Sequence, residues 1–446
     1  SLKIILSKTI GFCMKIAIVG SGISGLAAAH RLRPHAHVTL FEAGNYFGGH
    51  THTVDITLPT PQGLVTWGVD TGFLVFNERT YPQLIALLAE LNVTTAASDM
   101  SFSVQARWDD TGKVLEWNGA NLNSVFAQRS NLLRPRFWGL LRDIMRFNQL
   151  ATHLAQSAAS DALAQPLQQF LDEHRFGTAF RHGYLLPMLG CIWSCPTTQM
   201  LQFPVATMVR FCDNHGLLQV NNRPPWFTVA GGAKHYVQAI TEPIIDKRLN
   251  TPVLGIARDA QGVQIRTAQG VERFDQVVLA THADQSLALL EHPSSDEQAL
   301  LGAIRFQANR AVLHTDTRVM PQRRLAWAAW NYQRTQDDSE NARVCLHYWL
   351  NRLQPLPFKQ DVIVSLNPAS AIDPTTILGS YDYDHPVFDL PAIAAQNQLP
   401  RLQGQQRTWY AGAWMRFGFH EDGYQAGLAA AKGLLARQTD KQEALA

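Results

Sequence analysis

Three closely spaced glycines near the start of the chain have the spacing of a phosphate-binding turn. Gly20, Gly22 and Gly25 follow the β-branched segment KIAIV and precede LAAAHRL, which is rich in strong helix formers. In a strand-turn-helix unit the first glycine permits the turn, the second lets the backbone approach a pyrophosphate, and the third lets the helix pack on the strand. The segment therefore predicts a dinucleotide site at a helix N-terminus.

An acidic residue stands where such a site needs a hydrogen-bond acceptor for a ribose. The segment HVTLFEA supplies the second predicted strand, which ends at Glu42, 22 residues beyond Gly20. A carboxylate at this position can accept hydrogen bonds from the ribose diol. Glu42 therefore favours FAD or NAD over NADP.

Few other polar residues have a spacing that predicts chemistry. His50 and His52 have no third ligand at a convincing spacing, so we expect no metal site. We also find no Ser/His/Asp arrangement for nucleophilic catalysis. Glu421 and Asp422 stand at a predicted helix start, where an acid serves in acid-base catalysis or, more commonly, as a helix cap.

Length and composition describe a globular protein that buries much apolar surface. The 446 residues favour two domains, with 46% apolar and only 17% charged residues. A net charge of +2 without a sustained basic run argues against nucleic acid as a partner. No run of 18 apolar residues predicts a bilayer-spanning helix, so any membrane contact is expected to be peripheral.

The cysteines and the first residues bear on the compartment. Five irregularly spaced cysteines argue against a disulfide framework and for a reducing compartment, so we expect a cytoplasmic protein. The pair Cys191 and Cys195 lacks CxxC spacing, and we interpret it as buried thiols. Residues 1–13 lack the long apolar core of a signal peptide and are interpreted as an extension.

Several motifs spread over the chain resemble one family. After Glu42 comes the doublet GGHTHT (48–53), then D-x-G (70–72), then WFTVAGGAKHYVQAI (226–240) and the closing segment TWYAGAWMRFGFHEDGYQAGLAAAKGLL (408–435). Their order and spacing resemble the flavin-containing amine oxidase superfamily, which includes phytoene desaturases and protoporphyrinogen oxidases. The resemblance implies FAD as the cofactor. Since no cysteine precedes the closing helix in TWYAGAW, it implies noncovalent binding.

The resemblance also implies which residues contact the cofactor. They come from the glycine turn, the second glycine doublet, the D-x-G segment, the adenine-contacting position and the closing motif. They are Gly20, Gly22, Ser24, Gly25, Glu42, Gly48, Gly49, His50, Thr51, Gly72, Phe73, Val253, Gly412, Asp422, Gly423 and Tyr424.

The expected fold class is α/β. A Rossmann-type FAD-binding domain is combined with a discontinuous α+β substrate domain that has a mixed sheet and a helical lid. We predict the FAD-binding domain at residues 14–84, 223–285 and 401–438, and the substrate domain at residues 85–222 and 286–400.

Candidate catalytic residues follow from departures from the family pattern and from two aromatic runs. Aligning FQANRAVLHTD with the strand that often carries a flavin-adjacent lysine places Arg310 there; an interdomain salt bridge is the alternative. His50 stands where amine oxidases often have arginine, and it either influences the flavin or has a structural hydrogen-bonding role. The candidates for the cavity wall are Trp330, Tyr332, His347 and Trp349.

The resemblance implies a flavin enzyme that removes a hydride from a C–H bond. Apolar and aromatic residues favour a hydrophobic or lipid-like substrate, and likeness to a bacterial group associated with cyclopropane fatty acid synthase suggests oxidation or desaturation of an acyl chain. Two alternatives stay open. One is a true amine oxidase that releases hydrogen peroxide, and the other is a nonredox flavin-dependent isomerase. The sequence does not identify the electron acceptor.

Overall fold

A computed structural model describes residues 14–107, 114–156, 165–193, 196–219, 224–334 and 344–445. The predicted extension at residues 1–13 and the position of Cys195 lie outside these ranges.

Strands and helices alternate at both ends of the chain, and helices dominate its second quarter. The strands are β1 (Lys15–Val19), β2 (His37–Phe41), β3 (Thr53–Thr60), β4 (Gly63–Asp70), β5 (Phe76–Asn77), β6 (Thr95–Ser98), β7 (Phe102–Arg107), β8 (Val114–Asn118), β9 (Trp226–Val229), β10 (Asp246–Arg248), β11 (Gly255–Arg258), β12 (Val263–Thr267), β13 (Gly270–Phe274), β14 (Gln276–Leu279), β15 (Phe306–His314), β16 (Trp330–Gln333), β17 (Cys345–Trp349), β18 (Ile363–Leu366), β19 (Ile377–Pro386) and β20 (Thr408–Tyr410). The helices are α1 (Ile23–Leu32), α2 (Pro82–Glu90), α3 (Leu122–Val125), α4 (Pro135–Gln156), α5 (Leu167–Glu173), α6 (Thr178–Phe180), α7 (Leu186–Trp193), α8 (Thr197–Leu201), α9 (Val205–Asn214), α10 (Lys234–Thr241), α11 (Ala283–Leu289), α12 (Ser295–Gly302), α13 (Leu350–Leu353), α14 (Leu390–Gln396) and α15 (His420–Leu445).

A five-stranded parallel sheet carries the glycine turn. Its strand order is β10-β2-β1-β14-β20, so β1 is central and the last strand of the chain closes one edge. Side chains of β1 alternate between two cores. Ile16 and Ile18 pack with α1, α10 and α15, and Ala17 and Val19 pack on the opposite face with the antiparallel meander β11-β12-β13. Because both faces are covered, this strand is apolar from Ile16 to Val19.

A seven-stranded mixed sheet forms the second layer. Its order is β19-β15-β18-β17-β16-β7-β8, with one parallel pair, β16 and β7, among antiparallel neighbours. Helices α4 to α9 supply a large apolar core with this sheet, including Phe137 and Phe147 of α4. The predicted mixed sheet with a helical lid is therefore present, and the predicted fold class is confirmed.

Two predicted domain boundaries fall inside helices. The boundary after residue 84 lies within α2, whose Leu84, Leu87 and Leu88 all pack in the core beside the parallel sheet. The boundary after residue 285 lies within α11. Helices α12 and α14 also pack in the core that contains Ala17 and Val19. The division into domains stays a prediction at these points.

Among the described helices, none has the length and apolarity that crossing a bilayer requires.

Candidate active site

The glycine turn between β1 and α1 is held against the end of β14. Gly20 has φ +98°, and a β-carbon there would lie 2.6 Å from the Ala280 carbonyl oxygen. A β-carbon on Gly25 would lie 1.9 Å from the carbonyl oxygen of Gly20, so α1 can approach the turn only with glycine there. A β-carbon on Gly22 would have no atom within 4 Å, so the space on that side of Gly22 is open. This opening at the start of α1 suits an anionic group, because the first helical N–H groups are unpaired within the helix.

Glu42 directly follows β2 beside this turn. Its carboxylate accepts hydrogen bonds from Ser21 N (3.0 Å) and Ser21 Oγ (2.5 Å), and from Gly44 N (2.8 Å). These bonds fix the carboxylate at the edge of the cavity, where its remaining lone pairs can accept from a sugar hydroxyl.

One cavity of about 790 Å³ extends from the glycine turn to the seven-stranded sheet. This volume lies within the roughly 300–1,000 Å³ of ligand pockets. We call the part lined by the glycine turn, Glu42 and the doublet Gly48–Gly49 the glycine half. The predicted residues that line the whole cavity are Gly20, Gly22, Ser24, Glu42, Gly48, Gly49, His50, Thr51, Gly72, Phe73, Val253, Trp330 and Gly412.

Four predicted cofactor residues do not line the cavity. Gly25 packs against Gly20, and Tyr424 is buried in the core beside the parallel sheet. A β-carbon on Gly423 would lie 2.7 Å from Ile23 Cγ2, so this glycine lets α15 pack on α1. Asp422 accepts from Phe419 N (3.0 Å), the residue just before α15, and so caps the helix. Burial raises the pKa of Asp422 to about 6.

The closing helix starts earlier than the sequence suggests. It begins at His420 rather than near Gly423, and His420 is the residue of its first turn that lines the cavity. The His420 ring stacks on Phe73 at 3.8 Å between centroids, and Nε2 hydrogen-bonds Tyr236 Oη at 2.5 Å. These contacts connect the helix start to the D-x-G segment and to α10.

Arg310 does not line the cavity, and its assignment as a catalytic candidate has to be corrected. It is exposed on β15 opposite Asp382, and its Nε donates to Ser380 Oγ at 2.8 Å. Because side chains alternate along a strand, the neighbours Asn309 and Ala311 point to the inner face instead. Asn309 is buried and its Nδ2 contacts His385 Nδ1 at 3.1 Å, while Ala311 lines the cavity.

Three of the four aromatic candidates for the cavity wall also lie elsewhere. Tyr332, predicted as catalytic, is buried in the apolar core and packs against Gly190 of α7. His347 is held by Ser365 Oγ (2.7 Å) and Gln333 Oε1 (2.9 Å) within the sheet. Trp349 donates to Asp361 Oδ1 (2.9 Å) on the other face. These three side chains have structural partners and no access to the cavity.

Trp330 is the aromatic candidate that faces the cavity. Its ring meets Tyr348 edge-on at 4.8 Å, and its buried Nε1 has no hydrogen-bond partner among the described residues. Around this pair lies what we call the apolar half, which α7, α9 and the inner face of the seven-stranded sheet supply. It is lined by Phe102, Met188, Cys191, Ile192, Trp193, Phe211, Ala311, Trp330, Tyr348, Val364 and Leu366.

Several histidines line the cavity, and of these only His50 and His420 belong to motifs recognised in the sequence, His420 within the closing segment. His50 lies 5.0 Å from the Tyr383 ring and 5.5 Å from the His385 ring, and His282 stacks on Phe306 at 4.2 Å. Burial lowers the pKa of His50 to about 3 and that of His385 to about 4. These rings are therefore neutral at pH 7. His282 and His385 were missed because they belong to no motif and meet only through the fold.

The acid at Glu421 has a structural role. Its carboxylate accepts from Gln83 N (3.1 Å) and Leu84 N (3.0 Å), the second and third residues of α2. It therefore caps α2 from the first turn of α15, and like Asp422 it is separate from the cavity lining.

The charge of the cavity lining is low. Among the described residues that line it, only Glu42 and Asp384 carry carboxylates, and none is lysine or arginine. The Nε2 atom of His50 is buried without a hydrogen-bond partner among the described residues, so it is available to a bound molecule. A dinucleotide fits the glycine half. This half offers the open N-terminus of α1, a carboxylate for a ribose, and glycines whose backbone a ligand can approach closely.

Comparisons with solved structures agree with this fold. Solved structures with the same fold include the cyclohexylamine oxidase from Brevibacterium oxydans IH-35A (TM-score 0.65, 17% identity, covering 96% of this chain and 100% of that one). Another is the CLA-producing fatty acid isomerase from P. acnes (TM-score 0.63, 16% identity, covering 94% and 98%). At these identities the likeness shows the fold alone.

A family model identifies the family, and sequence relatives agree with it. An L-amino acid dehydrogenase of Synechocystis sp. is 27% identical over 278 residues, which are 59% of this chain and 55% of that protein. The match thus spans about half the length of this curated relative. A model of the family described as flavin containing amine oxidoreductase matches residues 23–435, nearly the whole chain, and confirms the predicted family. The chain therefore belongs to the flavin-containing amine oxidoreductase family.

Proposed function

We propose that this protein is an FAD-dependent oxidoreductase that removes a hydride from a C–H bond of an uncharged, hydrophobic substrate. Family membership implies a flavin, and the cavity supports the substrate class. The observation that carries the proposal is the lining of the apolar half, where aromatic and aliphatic side chains surround Trp330 without a described charged residue. Such a surface favours an acyl chain or similar apolar group, because desolvating a charge there is costly.

The glycine half supports FAD as the flavin. The start of α1 and the glycine turn would hold the pyrophosphate, and Glu42 would hold a ribose. The doublet Gly48–Gly49 would lie along the phosphates and the ribityl chain of FAD. Noncovalent binding is part of the proposal. Cys191 is the one cysteine among the described lining residues, and it lies in the apolar half, where burial raises its pKa well above the ordinary value.

When bound, the flavin supplies the redox chemistry as acceptor of a hydride from substrate. The chain's own residues have positioning roles. The aromatic pair Trp330 and Tyr348 presents a rigid apolar wall that orients a chain-like substrate and excludes water. The neutral rings of His50 and His385 can accept or donate hydrogen bonds without placing a full charge in the cavity.

Anaerobic bleaching of the flavin tests this proposal. Purified protein should release FAD on acid treatment. The visible absorbance of the bound flavin should fall when fatty acyl substrates are added, because the flavin becomes reduced. Ala311→Phe should fill the apolar half and slow bleaching at least about tenfold without loss of FAD. Ala308→Phe is the matched control, since Ala308 is exposed on the same strand and should leave bleaching unchanged.

The two alternatives give different results in the same experiment. Bleaching by amines and not by acyl compounds would support an amine oxidase and contradict the substrate class. A shifted double bond in the lipid product without net bleaching would support an isomerase and contradict the net redox reaction. A protein that cannot be loaded with FAD would contradict the whole proposal.

A further inference from the structure

The outer surface of the helical layer carries large apolar side chains that no described part of the chain covers. Leu133 is 88% exposed, Leu122 79% and Trp138 50%. Trp138, Arg142 and Met145 recur at helical spacing along the outer side of α4, whose inner side buries Phe137 and Phe147. We call this surface the arginine-leucine face. It consists of Leu122, Arg129, Leu132, Leu133, Trp138, Arg142 and Met145.

Contacts within the arginine-leucine face show that it is one continuous and ordered patch. Trp138 Nε1 donates to the Leu132 carbonyl oxygen at 3.0 Å, and the Trp138 ring lies 5.4 Å from Phe126. Arg129 Nη1 donates to the Phe126 carbonyl oxygen at 3.0 Å. It also bonds Asn123, the neighbour of Leu122. The leucines and the tryptophan thus belong to short helical segments and to α4 rather than to a loop.

The charge of this region is strongly positive. Between residues 114 and 150 the chain has five arginines and two acids, Glu116 and Asp143. Both acids have partners within the chain. Glu116 is buried and paired with Arg323, and Asp143 is paired with Arg146 and accepts a hydrogen bond from Gly177 N. The outer surface therefore combines protruding apolar groups with cations and offers no exposed acid in this stretch.

We propose that the arginine-leucine face binds the surface of an anionic lipid bilayer. Leucine and tryptophan side chains would enter the interface, while arginines contact acidic headgroups, as interfacial helices do. A second copy of the chain is a poor occupant, since two such faces would place like charges opposite one another. An acidic protein is less suited than a bilayer, because side chains as exposed as Leu133 (88%) and Leu122 (79%) need a medium that surrounds them to bury their apolar surface. The proposal does not depend on the reaction at the cavity.

Co-sedimentation of the full-length, flavin-loaded protein with vesicles tests this. We expect binding to vesicles of phosphatidylcholine with phosphatidylglycerol, weak binding to phosphatidylcholine alone, and loss of binding at high salt. The variant L132S/L133S/W138Q should lose binding at least about tenfold through the lost apolar insertion. R129Q/R142Q should weaken it about fivefold per arginine and flatten the salt dependence.

Matched controls separate this face from exposure or charge in general. L64S/I245S/V271S removes three equally exposed apolar side chains elsewhere, and R31Q/R33Q removes two exposed arginines of the opposite layer. Both should bind vesicles like the unmodified protein. Flavin absorbance and thermal unfolding verify that each variant is folded. Wild-type protein that stays in the supernatant with acidic vesicles, or face variants that sediment like the controls, would overturn the proposal, and an acidic protein partner would then be the better candidate.

Discussion

His50 directly follows the glycine doublet and lies in the cavity wall against Tyr383 and His385. Its burial is the main cause of its low pKa, and neighbouring histidines lower it further. A permanently charged arginine, frequent at this position in the resembled family, would bring a cation into this wall. With histidine the wall is neutral over the pH range where most enzymes work.

This burial predicts a pH dependence of stability. The pKa of His50 is about 3 in the folded protein and 6.5 in an exposed histidine. The unfolded chain therefore takes up a proton that the folded chain excludes, and stability is lost as the pH falls below about 6.5. His50→Asn should reduce the slope of unfolding free energy between about pH 6 and pH 5 by up to about 1.4 kcal/mol per pH unit. Urea unfolding of the flavin-free proteins at several pH values measures this slope. Equal slopes for the His50→Asn variant and the unmodified protein would contradict the low pKa of His50.

A second prediction concerns the side chain of Arg310. Its exposed side chain bonds Ser380 on the outer face of β15, away from the cavity. Arg310→Ala should change the rate of substrate-dependent flavin bleaching by less than about twofold. It should lower the free energy of unfolding by no more than about 0.5–1.5 kcal/mol, the net contribution of one hydrogen bond. Stopped-flow absorbance measures the rate. A tenfold slower rate would return Arg310 to the catalytic candidates.

The sequence predicts some strands and helices of this fold better than others. The β1-turn-α1-β2 unit was predictable because strand pattern, glycine spacing and the acid at Glu42 all depend on neighbouring residues. The inner face of β15 was not, since the sequence FQANRAVLH does not show whether Asn309 or Arg310 faces inward. The parallel pairing of β16 with β7 joins segments more than 200 residues apart, and no local signal encodes it.

The hydrogen bonds that join α15 to α2 can be tested by their effect on stability. Glu421 accepts from two N–H groups at the start of α2, so Glu421→Ala should lower the free energy of unfolding by about 1–3 kcal/mol. Glu421→Gln keeps one acceptor oxygen and should cost less. Urea unfolding compares the three proteins. A normal stability of the alanine variant together with lost turnover would show instead that Glu421 is catalytic.

For the whole molecule, cofactor identity should appear as a difference in thermal stability. A ligand that binds only the folded chain stabilises it by about 2.7 kcal/mol at a concentration of 100 times Kd. Added FAD should therefore raise the unfolding temperature of flavin-free protein, and NAD should not. Differential scanning calorimetry with each nucleotide checks this. A larger shift with NAD would contradict the choice of FAD, which rests on the glycine doublet and the family rather than on Glu42.

The strand order β10-β2-β1-β14-β20 has a consequence for synthesis on the ribosome. The glycine turn is translated early. Strand β14, which supports it, follows only after the middle of the chain, and β20 with the start of α15, which complete the cavity, are translated near the end. A nascent chain therefore cannot retain the nucleotide until almost all of it has emerged. Until then the surface of α1 that packs on α15 stays uncovered, and we expect a ribosome-bound chaperone to bind it.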